Sequence, residues 1–318
     1  MFAVTFPGQG SQKQGMGKAL CEANPEAARV FQQVSEATGL DLRSICFDLP
    51  EEELRQTQNA QLALFTVGVA AYECLRGNLV GMAPHGFAGH SVGEYAALVA
   101  AGCLSVESGA KLVQLRGDLM ASSGGNRPGT MVAVLGMSAD DLDQVCRDSS
   151  TEGSEVVIAN DNCPGQLVIS GDLNAVQQAA ALASERGAKR TLPLSVSGAF
   201  HSPLMETSAI ALRAGLDEAT FIAPLGGSVY ANVEAAPIDD PTLWPDALSR
   251  QLCGRVRWSE TISQMQRNGI GLFVECGSGE VLTGLLKRID RELSGVPVVD
   301  PATLGNALET IQQHEVYV

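Results

Sequence analysis

Ser91 sits in Gly89-His90-Ser91-Val92-Gly93, a G-x-S-x-G pattern. The mostly apolar run 84–88 before it has the length of a buried strand. Residues 94–101 after it read as a helix, closed by Gly102. A serine at a sharp strand-to-helix turn presents its hydroxyl at a strained, exposed corner. Free backbone N–H groups at the helix start can hold an oxyanion there. Both glycines follow from crowding, since so tight an elbow leaves no room for Cβ atoms. The chemistry open to Ser91 is therefore nucleophilic attack. An ordinary Gly-rich turn is the competing reading, and the strand before and helix after weigh against it.

Such a serine needs a general base, and the chain offers four histidines: His85, His90, His201 and His314. Only His201 lies in a Gly/Ser-rich loop leading into a helix. Ser202 is the expected N-cap and Pro203 fits the first helical position. The positive end of that helix disfavours an imidazolium, and a neutral imidazole is what a base requires. His90 is inside the elbow, where its ring is expected to pack beside the turn. His85 precedes the elbow strand, and His314 is in the tail. A histidine that merely caps or packs is the bland reading of His201.

Arg116 is the third candidate. Ser105 reads as the N-cap of a helix running to about residue 122, with a stripe of Leu112, Val113, Leu115, Leu119 and Met120. Arg116 falls inside that stripe, and a guanidinium on a buried face must be paired. Its partner is either an internal Asp or Glu or a substrate carboxylate gripped by the guanidinium fork. Spacing alone leaves both open.

The whole chain bounds what surrounds these residues. It has 318 residues, 45% hydrophobic and 18% charged, enough for one large domain or two unequal ones. A net charge of −15 argues against nucleic-acid binding, which needs a basic footprint. No apolar run reaches transmembrane length, and residues 2–6 read as a strand rather than a signal peptide. The eight cysteines form no C-x-x-C pair, so neither a zinc site nor a dithiol is expected. They read as reduced, buried thiols of a cytoplasmic protein.

In chain order, strand 2–6 leads into the loop Pro7-Gly8-Gln9-Gly10-Ser11-Gln12. The dinucleotide pattern G-x-G-x-x-G fails at Lys13, and the P-loop pattern fails at Ala19 and Gln12. The loop can still place a backbone N–H beside a ligand. Residues 27–38 read as an amphipathic helix and 62–75 as a longer apolar one, preceded by the polar run 56–61. Residues 122–129 have linker composition. Beyond them the order is strand 131–135, helix 139–147, strands 156–159 and 166–170, helix 174–186 and strand 189–194. That β-α-β-β-α-β order is the ferredoxin-like unit. The expected fold is α/β: a hydrolase-like large domain with a parallel-sheet core, residues 1–125 and 196–318, carrying an inserted α+β small domain, residues 126–195. Residues 229–233 and 270–275 read as further strands of the large sheet. Arg250-Gln251-Leu252 lies on a helix between them, and Gly277 to Glu280 opens a last helix, 281–288. Residues 250–291 carry seven basic side chains against four acidic ones. That stretch is a solvated face or a site for an acidic or phosphate-bearing partner.

Five segments together carry a resemblance: Phe6 to Gln12, Gly89 to Tyr95, Arg116, Gly198-Ala199-Phe200-His201-Ser202, and Arg250-Gln251-Leu252. In order and spacing the sequence resembles the malonyl-CoA:acyl-carrier-protein transacylases over essentially its whole length. The resemblance implies a fold like the one read above. It also implies acylation of Ser91, with His201 as its base and the backbone N–H groups of Gln9 and Val92 as the oxyanion hole. Arg116 would then hold the malonyl carboxylate, and a backbone carbonyl at Gln251 would orient the histidine. Ala199-Phe200-His201 matches a signature of malonyl-selecting relatives. Leu62 departs from the family, where proline is common, at a helix start remote from the chemistry. The partners implied are malonyl-CoA and a holo acyl carrier protein bearing phosphopantetheine. No cofactor or metal of its own, no nucleic acid and no membrane are expected, and the chain is expected to be a monomer. Competing readings are a thioester hydrolase using the same Ser91 and His201, a non-catalytic carrier-docking module, and a free-standing acyltransferase serving a polyketide synthase.

Overall fold

Phe2–Phe6, strand β1, is apolar on both faces because both faces are covered: it lies inside a sheet and is buried along its length. The computed structural model describes residues 1–123 and 128–316. After β1 come β2 (Gly86–Gly89), β3 (Gly129–Leu135), β4 (Val156–Cys163), β5 (Gln166–Asp172), β6 (Arg190–Pro193), β7 (Ser228–Ala231), β8 (Ala236–Pro237), β9 (Leu272–Cys276) and β10 (Ser294–Val298).

The larger sheet runs β10-β9-β1-β2-β7-β8 and is parallel except at β8. Parallel neighbours need long crossovers, and helices supply them. Thr57–Asn78, between β1 and β2, is apolar nearly all round because it packs between Pro25–Thr38 and Val106–Ser122. Phe6 pairs with Gly89, so β1 and β2 end at one edge. The loop after Phe6 and the turn after Gly89 therefore meet there.

The smaller sheet runs β4-β5-β3-β6, with antiparallel pairing throughout. Helices Ala139–Ser149 and Leu173–Glu185 complete the β-α-β-β-α-β order, as the sequence predicts. Val134, Leu142, Val145, Ile158, Ile169 and Val176 form its own core. β4 is irregular on its outer half, with register shifts between Ile158 and Asn160 and between Asp161 and Cys163. There its backbone bridges to the other part of the molecule: Asp161 N–H donates to Val256 O at 2.9 Å, and Val256 N–H to Ala159 O at 2.8 Å.

Several expectations are corrected. The long apolar helix begins at Thr57, so the polar run 56–61 is mostly helical. The helix Val281–Ile289 is not the last element, because β10 and the helix Pro301–Val316 follow it. Short helices Lys18–Ala23, Leu42–Phe47 and Glu51–Leu54 were not foreseen. Ser202 occupies the N-cap, but its hydroxyl donates to Ala199 O at 2.6 Å instead of capping. The turn it starts, Pro203–Met205, is 3-10, and the α-helix is Glu206–Glu218. The expected boundary at 125/126 and the linker residues 124–127 lie outside the described residues. Among the described residues no helix is long and apolar enough to cross a membrane. All eight cysteines are free, and all but Cys253 are buried.

Candidate active site

The elbow is built where β1 and β2 end. His90 N–H donates to Phe6 O at 2.9 Å, which continues the sheet one residue past Gly89. Ser91 then takes φ 53°, a conformation costly for a residue with a Cβ. Helix Gly93–Ala100 starts immediately after. A Cβ on Gly89 would lie 1.9 Å from the Gly93 carbonyl, and one on Gly93 would lie 2.3 Å from Phe6 O. The crowding argument for both glycines therefore holds.

What keeps Ser91 in that backbone state is a residue the sequence reading missed. Asn232 Oδ1 accepts from Ser91 N–H at 2.8 Å, and its Nδ2 donates to Gly89 O at 2.7 Å. The carboxamide thus clasps both sides of the turn.

Ser91 Oγ and His201 Nε2 are 2.8 Å apart. His201 Nδ1 lies 2.7 Å from Gln251 O, on helix Trp244–Cys253. A carbonyl only accepts, so Nδ1 carries the proton and Nε2 presents its lone pair to the Ser91 hydroxyl. His201 also has positive φ, 57°. Burial, helped by the charge of Arg116, lowers the pKa of His201 to about 3. The ring is therefore neutral at ordinary pH.

Arg116 is fully buried, and burial pulls its pKa below the ordinary value. Nη1 donates to Gln61 Oε1 at 2.5 Å, and Nη2 to Ser91 Oγ at 3.0 Å and Gln251 Oε1 at 2.9 Å. Nε has no partner. All of these acceptors are neutral, so the internal Asp or Glu that could have paired with Arg116 does not touch it. The charge of Glu94 acts on it, and Gln251 bonds to both.

A cavity of about 400 Å³ brings Gln9, Ser91, Val92, Arg116, Phe200 and His201 to one surface. Neither Gln9 N–H nor Val92 N–H is taken by another group among the described residues. Gln251 is buried behind the wall. The site residues anticipated from the sequence are thus brought together. β4 contributes Asn160 to the lining, and Asn162 Oδ1 lies 2.8 Å from His90 Nε2. His90 packs beside the turn as expected, against Trp258.

Of the residues missed, Gln61 was hidden in a polar run, Glu94 read only as a helical residue, and Asn232 sat near a strand end. No local signal marks any of them. Three of the seven basic side chains in the stretch 250–291 are held in ion pairs. Arg250 pairs with Asp246 and Glu234, Arg255 with Asp143, and Arg257 with Glu260.

A family model described as the acyl transferase domain matches residues 4–301. The malonyl CoA-acyl carrier protein transacylase of Bacillus subtilis (strain 168) is 43% identical over 311 residues, covering 98% of this chain and 97% of that protein. The solved acyl carrier protein S-malonyltransferase of Vibrio cholerae superposes with a TM-score of 0.92 at 42% identity, over 96% of this chain and 99% of that one. A malonyl-transacylase solved in complex with a type II PKS acyl-carrier protein gives a TM-score of 0.93 at 39% identity, over 97% and 99%.

Proposed function

The chain belongs to the acyl transferase domain family and, within it, to the malonyl-CoA:acyl-carrier-protein transacylases, and we propose that it works through a malonyl ester on Ser91. It is an acyltransferase that moves malonyl from malonyl-CoA to an acyl carrier protein. The observation that carries the residue roles is one hydrogen-bonded line, Gln251 O to His201 to Ser91 Oγ, with a guanidinium nitrogen 3.0 Å from the same Oγ.

Malonyl has a carboxylate one methylene from its thioester carbon. A carboxylate on Arg116 therefore brings that carbon to Ser91. Ser91 Oγ attacks it and passes its proton to His201 Nε2. The carbonyl oxygen, now negative, lies against the N–H groups of Gln9 and Val92, where one donor is typically worth about 3–4 kcal/mol. The intermediate collapses and the CoA thiolate leaves with the proton from His201. The phosphopantetheine thiol of the carrier then gives its proton to His201 and attacks the malonyl ester. Ser91 recovers its proton as the carrier departs loaded. Acetyl would leave Arg116 buried without its anion, which disfavours it.

The reading extends to fatty acid biosynthesis, to residues 126–195 as a unit inserted between 1–125 and 196–318, and to a monomer in the cytoplasm. The likeness to the transacylase solved with a type II PKS carrier supports service to such a carrier as a second reading. Malonyl-CoA followed by a holo carrier protein tests the transfer. The carrier should gain one malonyl group, and release of free malonate at the same rate with or without carrier would instead indicate a hydrolase.

A further inference from the structure

Beneath Ser91 lies a buried polar cluster that the steps above do not use. Glu94, on helix Gly93–Ala100, is 1% exposed. Its Oε1 accepts from Asn232 N–H at 3.0 Å, and its Oε2 accepts from Gln251 Nε2. The same Gln251 nitrogen donates to Ser91 O at 3.0 Å, while Gln251 Oε1 accepts from Arg116 Nη2 at 2.9 Å. One glutamine therefore touches three parts of the site. Its main chain orients His201, and its carboxamide joins the Ser91 backbone to Arg116.

A carboxamide can be turned end for end, and the two directions are not equivalent here. Reversed, the Gln251 oxygen would face the oxygens of Glu94 and Ser91, and its nitrogen would face a guanidinium nitrogen. The unreversed state depends on acceptors at Glu94 and Ser91. Ser91 O is fixed by the elbow. Glu94 is the side chain that decides, because both of its carboxyl oxygens already accept, one from Asn232 N–H and the other from Gln251 Nε2.

We propose that Glu94 is a specificity-determining positioning residue: as an acceptor it holds the Gln251 carboxamide with its oxygen toward Arg116, and so holds the guanidinium where the acyl carboxylate must bind. The proposal rests on the reading that Arg116 receives the malonyl carboxylate. Asn232 sharpens it. Because Asn232 N–H needs an acceptor at Oε1, an isosteric Glu94→Gln change must put its NH2 group at the other end, facing Gln251 Nε2. Two donors then meet, and Gln251 must turn or withdraw. Either movement removes an acceptor from Arg116 Nη2.

The test is the ratio of kcat/KM for malonyl-CoA to that for acetyl-CoA, measured on wild type, Glu94→Gln, Gln251→Met and the double variant. Glu94→Gln should lower the ratio about tenfold to a hundredfold, the worth of one hydrogen bond to a charged group. Gln251→Met, which keeps the main-chain carbonyl on His201, should lower it similarly. The double variant should be no worse than Gln251→Met alone, because the two changes break one linkage. A role confined to stability would lower both substrates together and leave the ratio intact. An unchanged ratio in Glu94→Gln overturns the proposal. If that variant does not fold, an unchanged ratio in Gln251→Met overturns it. Failure of the underlying reading looks different: wild type itself would show no preference for malonyl-CoA, or Arg116→Ala would keep it.

Discussion

The two sheets of the molecule obey different rules. Around β3–β6 local pattern and structure agree. Ser138 caps its helix at Asp141 N–H, and Val134, Ile158 and Ile169 close a self-contained core. Around β1 and β2 local rules are broken. Ser91 and His201 hold positive φ, and Glu94 and Arg116 are buried where charge is costly. Burial alone raises the Glu94 carboxyl to about 8, despite two hydrogen bonds that favour its ionised form. The regular region draws its core from one continuous stretch of chain. The irregular one is sustained by contacts across long stretches of chain, such as Asn232 on Ser91 and Gln251 on His201. Strain and buried charge are concentrated where the acyl group must be bound and transferred.

The largest contrast comes from the nucleophile. Ser91→Ala should reduce malonyl transfer about 10³-fold or more, with folding unaffected, as read by transfer kinetics beside thermal unfolding. A matched glycine pair sharpens the comparison further. Gly93→Ala sets a Cβ against the Phe6 carbonyl and should cost roughly 1–3 kcal/mol together with most of the activity. Gly187→Ala, at φ 99° in a turn with open space around it, should cost about 1–2 kcal/mol of backbone strain and leave transfer intact. Equal loss of activity in both would erase the distinction between the regions. Arg116→Ala should lower malonyl transfer about tenfold to a hundredfold more than acetyl transfer. Equal loss for the two substrates would make Arg116 structural.

The smallest effect is in pH. His201 acts as a base only when neutral, and its pKa is lowered from 6.5 to about 3. No fall in activity assignable to this group should therefore appear near pH 6.5. In the unfolded chain the ring protonates near 6.5, so folding stability should decline as pH falls from there toward about 3. His201→Gln should flatten that part of the curve of Tm against pH. An identical curve in the variant would contradict the buried neutral ring.

Legibility in the sequence follows the same division. The ferredoxin-like order was readable because short apolar strands, amphipathic helices and turn residues are local signals. Ser91 was readable because a strand, an elbow and a helix announce it within a few residues. His201 stood out by elimination among few histidines. Arg116 could be placed on a buried stripe, but its partners could not, because Gln61 and Gln251 arrive from other helices. Asn232 was unreadable for the same reason. β10 was missed because Gly295 and Pro297 interrupt its apolar run, and the sheet tolerates them because β10 is an edge strand. The first turn of Thr57–Asn78 was missed because a polar helix start looks like a loop, although Gln61 is buried and serves Arg116.

The central claim is that the acyl group passes through Ser91. The direct measurement is peptide mapping by mass spectrometry after brief exposure to malonyl-CoA and an acid quench. A malonyl adduct should appear on the peptide containing Ser91, be absent from Ser91→Ala, and disappear when a holo carrier protein is added before the quench. An adduct on another residue, or one that persists in Ser91→Ala, would contradict the account.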